Sequence, residues 1–445
     1  MSEKYSLDTS AILRSEPQYY NTYVVFDYEK VRTEFLTDKE FRTLEYIYHK
    51  PATIGEISKK VRMEFKKCEK FLKRMKQLGF INVNVDSSKD WRPKRVKDNK
   101  VHKKFPIPLL SAPTSVDVFI TSRCNLNCVH CFSSRDGKSK HDLSIEDLKS
   151  IFNQLEELGV LQVRINGGEP LLHPEAYEIF NMLKERRFRK VILTNGTMLD
   201  EEMVNLLKDS KVTPTISIDG SETEEHDLFR KSKGSFNRTI EGLKLLQKNE
   251  VQYGINCCLN KRNLKRCEKI INLAIKYGAY RIAFLDLKPS DRLRTNEVWI
   301  PSYNEYRNAM SDLIAARIVY KGKIDVSLDA FLHCYPLSEC TLEAKRGYIS
   351  CKAGRTGFSI GADGSIYPCN LVLYDQKWNM GNIKDERIKN IWFSKKWLYF
   401  RGGVKRSNIK KCKDCEDFIQ CKDFYCRLIS YVTNGDFFGP HPKCS

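Results

Sequence analysis

No stretch of the 445-residue sequence reaches the run of about eighteen apolar residues that marks a membrane-spanning helix. The first ten residues, MSEKYSLDTS, are polar and lack the apolar segment of a secretory signal. The expectation is a cytoplasmic protein with no membrane partner. Acidic residues are also short: 56 Asp and Glu stand against 76 Lys and Arg, for a net charge of +20. Such a surplus suits an acidic partner, either a peptide or a nucleic acid, unless it is simply a solvated basic face. It is concentrated in residues 59 to 104, where seventeen Lys or Arg accompany five Asp or Glu. A hydrophobic content of 41% and an aromatic content of 11% exclude a disordered chain. The length allows two or three domains.

Cysteine, by contrast, is plentiful. Of the sixteen cysteines, nine follow residue 333 and three fall together at Cys124, Cys128 and Cys131. In a reducing compartment, clustered cysteines read as metal ligands rather than disulfides.

Residues 1 to 85 read as a separate unit. Asn21–Tyr28 and Val31–Leu36 are strand-like runs around a turn, followed by two helices opened by the T-x-x-E signatures of Thr37/Glu40 and Thr53/Glu56. A third helix sets Phe65, Cys68, Leu72, Met75 and Leu78 on one face and lysines elsewhere, ends at Gly79, and precedes a strand over Phe80–Val85. Residues 86 to 112 are polar, basic and proline-bearing, and read as a linker.

From Thr114 onward strands and amphipathic helices alternate. Six strands are expected, at Val116–Ile120, Leu161–Ile165, Lys190–Leu193, Thr215–Ile218, Val251–Cys258 and Arg281–Leu287. That pattern gives a parallel α/β fold, open and doubly wound or a partial barrel, with its chemistry at the C-terminal strand ends. The motifs fall there. Cys124, Cys128 and Cys131 form a C-x3-C-x2-C loop after the first strand, enough for three irons of a cubane cluster with the fourth left open. A structural zinc site would want four ligands. Gly167-Gly168-Glu169-Pro170 follows the second strand, Thr194-Asn195-Gly196 the third, and Ser217-Ile218-Asp219-Gly220 the fourth. Toward the C-terminus, Cys351 and Cys369 bracket Gly364, which sits between two strand-like runs as a hairpin turn. Cys412, Cys415, Cys421 and Cys426 follow at C-x2-C-x5-C-x4-C, and Cys444 comes last. Seven cysteines exceed a single zinc site.

The segment ITSRCNLNCVHCF, with the motifs in this order on successive strands, resembles the radical S-adenosylmethionine (SAM) superfamily, and the C-terminal array resembles its SPASM extension. The resemblance implies a partial (βα)6 TIM-like barrel over residues 113–325 and a cysteine-rich SPASM extension over 326–445. It implies a [4Fe-4S] cluster on Cys124, Cys128 and Cys131 that binds SAM and cleaves it to a 5′-deoxyadenosyl radical. Phe132, Gly167, Gly168, Glu169, Pro170, Asn195, Ser217, Asp219, Asn256 and Leu285 would line the SAM site. It further implies two auxiliary [4Fe-4S] clusters, one on Cys351, Cys369 and Cys426, the other on Cys412, Cys415, Cys421 and Cys444. The interval from Cys421 to Cys426 is one residue longer than the family's pattern. Cys334 is the preferred fourth ligand of the first auxiliary cluster and Cys340 the alternative; if neither ligates, the open iron is free for a substrate thiolate. Cys68, Cys257, Cys258 and Cys267 are expected to be buried rather than ligating.

His226-Asp227 with Arg230 resembles a stretch found in peptide-modifying members, without an assigned role. Residues 1–85 resemble the winged-helix-like element, similar to the small chaperone of pyrroloquinoline quinone biosynthesis, that holds the leader of a precursor peptide as an added strand. The family reading is therefore peptide maturation by a thioether or carbon–carbon crosslink, with an electron donor such as flavodoxin or ferredoxin. Two rivals are a maturase of the anaerobic sulfatase type and a redox-sensing DNA-binding regulator; nucleic acid is not the expected partner. No residue stands out as a general base.

Overall fold

The computed structural model describes residues 3–8, 11–16, 22–27, 30, 32–84, 95–96, 109–132, 141–328, 351–402, 404–409, 411–413 and 426–440. The N-terminal unit has its own core, running from Tyr5 to Ile81 and including Leu13, Val25, Leu44, Leu72 and Phe80. Its strands are β1 (Tyr5–Leu7), β2 (Ala11–Glu16), β3 (Thr22–Asp27), β4 (Arg32–Leu36) and β5 (Ile81–Val83), with β6 (Arg95–Val96) beyond. β1 pairs antiparallel with β5, and the other four form a sheet in the order β4-β3-β2-β6. Between β4 and β5 lie α1 (Asp38–His49), α2 (Ile54–Val61) and α3 (Phe65–Gln77). Thr37 and Thr53 each close a reciprocal capping box with the glutamate three residues on, which fixes where α1 and α2 begin.

Two expectations for this unit change. Strands β1 and β2 precede the pair read from the sequence. On α3 the buried set is Cys68, Phe71, Leu72 and Met75, while Phe65 is 52% exposed. That i, i+3, i+4, i+7 spacing is a tighter stripe than one starting at Phe65.

In the second part, β7 (Ser115–Phe119), β8 (Gln162–Asn166), β9 (Arg189–Thr194), β10 (Val212–Ser217), β11 (Gly254–Cys258), β12 (Arg281–Leu285) and β13 (Asp325–Leu328) are all parallel and neighbour one another in chain order. Between them run α4 (Ile145–Glu157), α5 (Ala176–Met182), α6 (Glu201–Asp209), α7 (Thr223–Arg230), α8 (Ser235–Lys248), α9 (Cys267–Lys276), α10 (Asp291–Arg294) and α11 (Tyr303–Val319). Strand order that never reverses sends every right-handed crossover to the same face, so the sheet curls as a partial barrel instead of a doubly wound sheet. The six expected strands are present, and β13 adds a seventh.

The C-terminal segment extends this sheet. β14 (Gly357–Ile360) pairs in parallel with β7, β15 (Ser365–Tyr367) turns back on it through Gly364 at φ +83°, and β16 (Gly381–Asn382) adds an edge. α12 (Ile388–Trp392) and α13 (Arg427–Asn434) complete the described elements. One apolar core runs from Leu109 through the barrel to Trp392, Trp397 and Phe437. The stretch read as a linker is thus partly structural: Leu109, Leu110 and Ala112 are buried in that core, and Arg95–Val96 pairs with β2. Arg14 of β2 donates to the carbonyls of Ala112 and Pro113, joining the N-terminal sheet to the barrel's entry.

Candidate functional site

The expected motifs converge at the C-terminal ends of consecutive strands. The cysteine loop leaves β7, and the glycine pair leaving β8 crosses directly beneath it. Gly168 N–H donates to the Thr121 carbonyl at 2.8 Å and Glu169 N–H to that of Arg123 at 2.6 Å. A Cβ on Gly168 would stand 2.3 Å from the Arg123 carbonyl oxygen, so only glycine permits this crossing. Pro170 opens the following 3-10 turn.

Glu169 is buried. Its Oε1 accepts from the Thr194 hydroxyl at 2.6 Å and Leu171 N–H at 3.2 Å, and its Oε2 from Asn195 N–H at 2.7 Å. Burial pushes its pKa up, against the pull of these three donors. The carboxylate therefore laces the ends of β8 and β9 together. Asn195 extends the lacing to the cysteine loop: its Nδ2 donates to Asn125 Oδ1 at 2.9 Å, and Asn125 Nδ2 donates to Thr197 Oγ1 at 2.8 Å. Asn125 and Thr197 were not singled out from the sequence, although both flank residues that were.

Ser217 and Asn256 lie opposite one another in the β10–β11 register and are half-buried. Leu285, at the end of β12, is half-buried beside Cys258. Asp219 is different: it is fully buried, its Oδ2 pairs with Arg230 Nη2 at 2.5 Å, and its Oδ1 accepts Cys258 N–H at 2.7 Å. Burial opposes its charge, but Arg230 and the neighbouring histidines hold its pKa below the usual carboxylate range. Phe132 is half-buried against Phe119, Tyr367 and Leu373, so it packs the cysteine loop onto the C-terminal hairpin.

The stretch left without a role now has one. Asp227 accepts from Gly234 N–H, Phe236 N–H and the Ser235 hydroxyl, fixing the start of α8. His226 Nδ1 accepts from Asp219 N–H at 3.3 Å. The end of α7 braces the cysteine loop, with the Phe229 carbonyl taking Val129 N–H at 3.0 Å and the Arg230 carbonyl taking Asn127 N–H at 3.3 Å.

Cys124, Cys128 and Cys131 stand within electrostatic reach of one another. Among the described residues no three His, Cys, Asp or Glu side chains close around one metal ion. A cubane asks for something else, because each thiolate binds a different iron and the sulfurs stand further apart than the ligands of one ion. Cys351, Cys369 and Cys426 likewise influence one another. Burial pushes the Cys351 thiol up to about 12 and the Cys369 thiol well above its ordinary range. Three cysteines brought together in each set, close enough for their charges to interact, fit the thiolate ligands of one cluster. Cys412 is buried in the main core. Cys334, Cys340, Cys415, Cys421 and Cys444 lie outside the described residues. Cys68, Cys257, Cys258 and Cys267 are buried, as expected. Lys288, past β12, pairs with Asp286 at 3.3 Å and lies within electrostatic reach of Cys426, marking where the barrel mouth meets the C-terminal cysteines. No helix among the described residues is long and apolar enough to cross a membrane.

Comparison with known proteins gives the same picture. The Radical SAM superfamily model matches residues 118–274, and the SPASM model, an iron–sulfur cluster-binding domain, matches residues 351–416. The AdoMet-dependent heme synthase of Methanosarcina barkeri is 28% identical over 76% of this chain and 98% of its own length. The mycofactocin maturase MftC of Mycobacterium tuberculosis is 28% identical over 75% of this chain and 83% of its own. Streptococcus suis SuiB, in its complex with precursor peptide SuiA, superimposes with a TM-score of 0.73 over 99% of this chain and 100% of its own at 16% identity, a likeness of fold. The chain carries a radical SAM domain over residues 118–274 and a SPASM iron–sulfur cluster-binding domain over residues 351–416.

Proposed function

We propose that this enzyme matures a ribosomally made precursor peptide, removing hydrogen from it and installing a thioether or carbon–carbon crosslink. The observation that carries the reading is the N-terminal unit. The fold shared with SuiB spans 99% of this chain, whereas the heme synthase accounts for 76% of it while using 98% of its own length. The SuiB structure holds a precursor peptide, and MftC is named a maturase.

In this unit β4 is a sheet edge with Arg32, Thr33 and Phe35 exposed. Lys30 and Arg32 donate to the carbonyls of Gly79 and Leu78, which keeps that edge beside the end of α3. An extended leader added to β4 would find the outer edge of the described sheet and Lys66, Lys67, Lys70 and Lys73 exposed along the helix. Tethered there, the core peptide is held at high effective concentration near the barrel mouth.

Cys124, Cys128 and Cys131 would hold the SAM-binding cluster, which supplies a 5′-deoxyadenosyl radical when loaded. Gly167, Gly168, Asn195, Ser217 and Asn256 would line the SAM site around it. Cys351, Cys369 and Cys426 would hold one auxiliary cluster, with Cys334 or Cys340 as a further ligand. Cys412, Cys415, Cys421 and Cys444 would hold the other. A small cytoplasmic electron donor of the flavodoxin or ferredoxin class would reduce the enzyme. The test is anaerobic reconstitution with SAM, reductant and candidate precursor peptides, read by mass spectrometry. Loss of two hydrogens per modification supports crosslinking. A fully reconstituted enzyme that never cleaves SAM overturns the reading.

A further inference from the structure

We infer that Arg230 is a positioning residue whose guanidinium hydrogen-bonds a ligand sulfur of the SAM-binding cluster and raises that cluster's reduction potential. The inference rests on the reading of Cys124, Cys128 and Cys131 as the cluster ligands. Arg230 Nη1 donates to Cys128 Sγ at 3.7 Å, while Nη2 pairs with Asp219 Oδ2 at 2.5 Å. Both side chains are buried, at 9% and 0% exposure, so water screens neither. Asp219 is itself held by the Cys258 N–H on β11, and its carbonyl accepts from Asn263 Nδ2 at 3.0 Å. The guanidinium is thus held between a fixed carboxylate and the cysteine, on the helix whose last carbonyls already brace the loop.

An arginine that only stabilised the fold would be satisfied by Asp219. Here one arm of the fork is spent on sulfur. A permanently charged donor on a cluster sulfur favours the reduced, more negative cluster, because hydrogen bonds to sulfur and local charge are the protein's levers on its potential. Of the ion pair, the cation is the member that bonds the ligand, so its effect is not cancelled by symmetry.

The experiment is an anaerobic redox titration of the reconstituted enzyme by electron paramagnetic resonance, with the SAM-binding cluster identified by the change in its signal on adding SAM. In Arg230→Gln the equilibrium constant for reducing that cluster is expected to fall about tenfold, a shift of about 59 mV for a one-electron couple. Arg230→Lys, which keeps the charge, should recover part of that loss, and the auxiliary clusters should not move. An unchanged midpoint in a loaded Arg230→Gln enzyme overturns the inference. If that variant does not retain iron, wild-type enzyme grown on 15N-arginine decides the matter. Electron–nuclear double resonance should show 15N coupled to the SAM-responsive cluster, and absence of coupling overturns the inference. A wild-type enzyme with no SAM-responsive signal would instead overturn the reading of the cysteine loop, and the inference with it.

Discussion

At Glu169 two oxygens meet three donors, and that arithmetic decides what a substitution does. Glutamine keeps the shape but turns one oxygen into an NH2 group, which must face either Asn195 N–H or Leu171 N–H. One buried donor then opposes another, at a cost of about 1–3 kcal/mol. Glu169→Gln is expected to lower the denaturant midpoint accordingly; a variant as stable as the parent would show that the carboxylate does not hold the strand ends together. His226 makes a second prediction at this scale. Burial, helped by the charge of Arg230, brings its pKa down to about 4 from an ordinary 6.5. Below pH 6.5 the unfolded chain takes a proton that the folded chain refuses until about pH 4. Stability contributed by neutral His226 is therefore present above 6.5 and lost as pH falls toward 4, by about 3 kcal/mol over that window. Thermal melts at several pH values in that range should show the decline, and His226→Gln should flatten its share of the slope.

Among the elements, α3 and β4 carry the sharpest expectation. Lys66 and Lys70 are exposed on α3, on the side opposite its buried stripe. Exposed charges contribute little each to an interaction, so Lys66→Glu with Lys70→Glu should weaken an acidic leader about two- to tenfold and reduce the salt dependence of its binding. Fluorescence anisotropy of a labelled leader checks this, and unchanged affinity would move the leader off α3. Legibility in the sequence follows the same element logic. The capping boxes at Thr37 and Thr53, the strands β7 to β12 and the hairpin at Gly364 are local patterns, and each is found where it was read. β1 is three residues long and pairs with β5 more than seventy residues away, so nothing local announces it. β13 is four residues long and offers too little alternation to read as a strand. The site divides likewise. Cys124, Cys128 and Cys131 sit close together in one loop and are legible from spacing, whereas the contact of Arg230 with Cys128 joins residues 102 apart. Asp219 and Phe132 were legible as positions, but what they touch depends on α7 and on a hairpin more than two hundred residues downstream.

Over the whole molecule, the described C-terminal cysteines, Cys351, Cys369, Cys412 and Cys426, pack in or against the barrel's own core. β14 pairs with β7 immediately before the cysteine loop, and Trp392 and Trp397 share the barrel's apolar core. Phe132 carries the loop itself onto Tyr367 and Leu373. This continuity ties the fold to its sheet and core rather than to the first cluster, and the consequence can be measured. Replacing Cys124, Cys128 and Cys131 together by alanine removes one of three proposed four-iron clusters and no part of β7, β14 or the tryptophan packing. The variant is expected to keep about two thirds of the iron of the reconstituted enzyme, to stay soluble, and to lose SAM cleavage entirely. Iron and sulfide assays with SAM-cleavage chromatography check all three. Retention of all the iron would mean that the loop holds no cluster, and loss of all of it would mean that the auxiliary sites cannot form without the first. The middle outcome is what one shared sheet with separate sets of thiols requires.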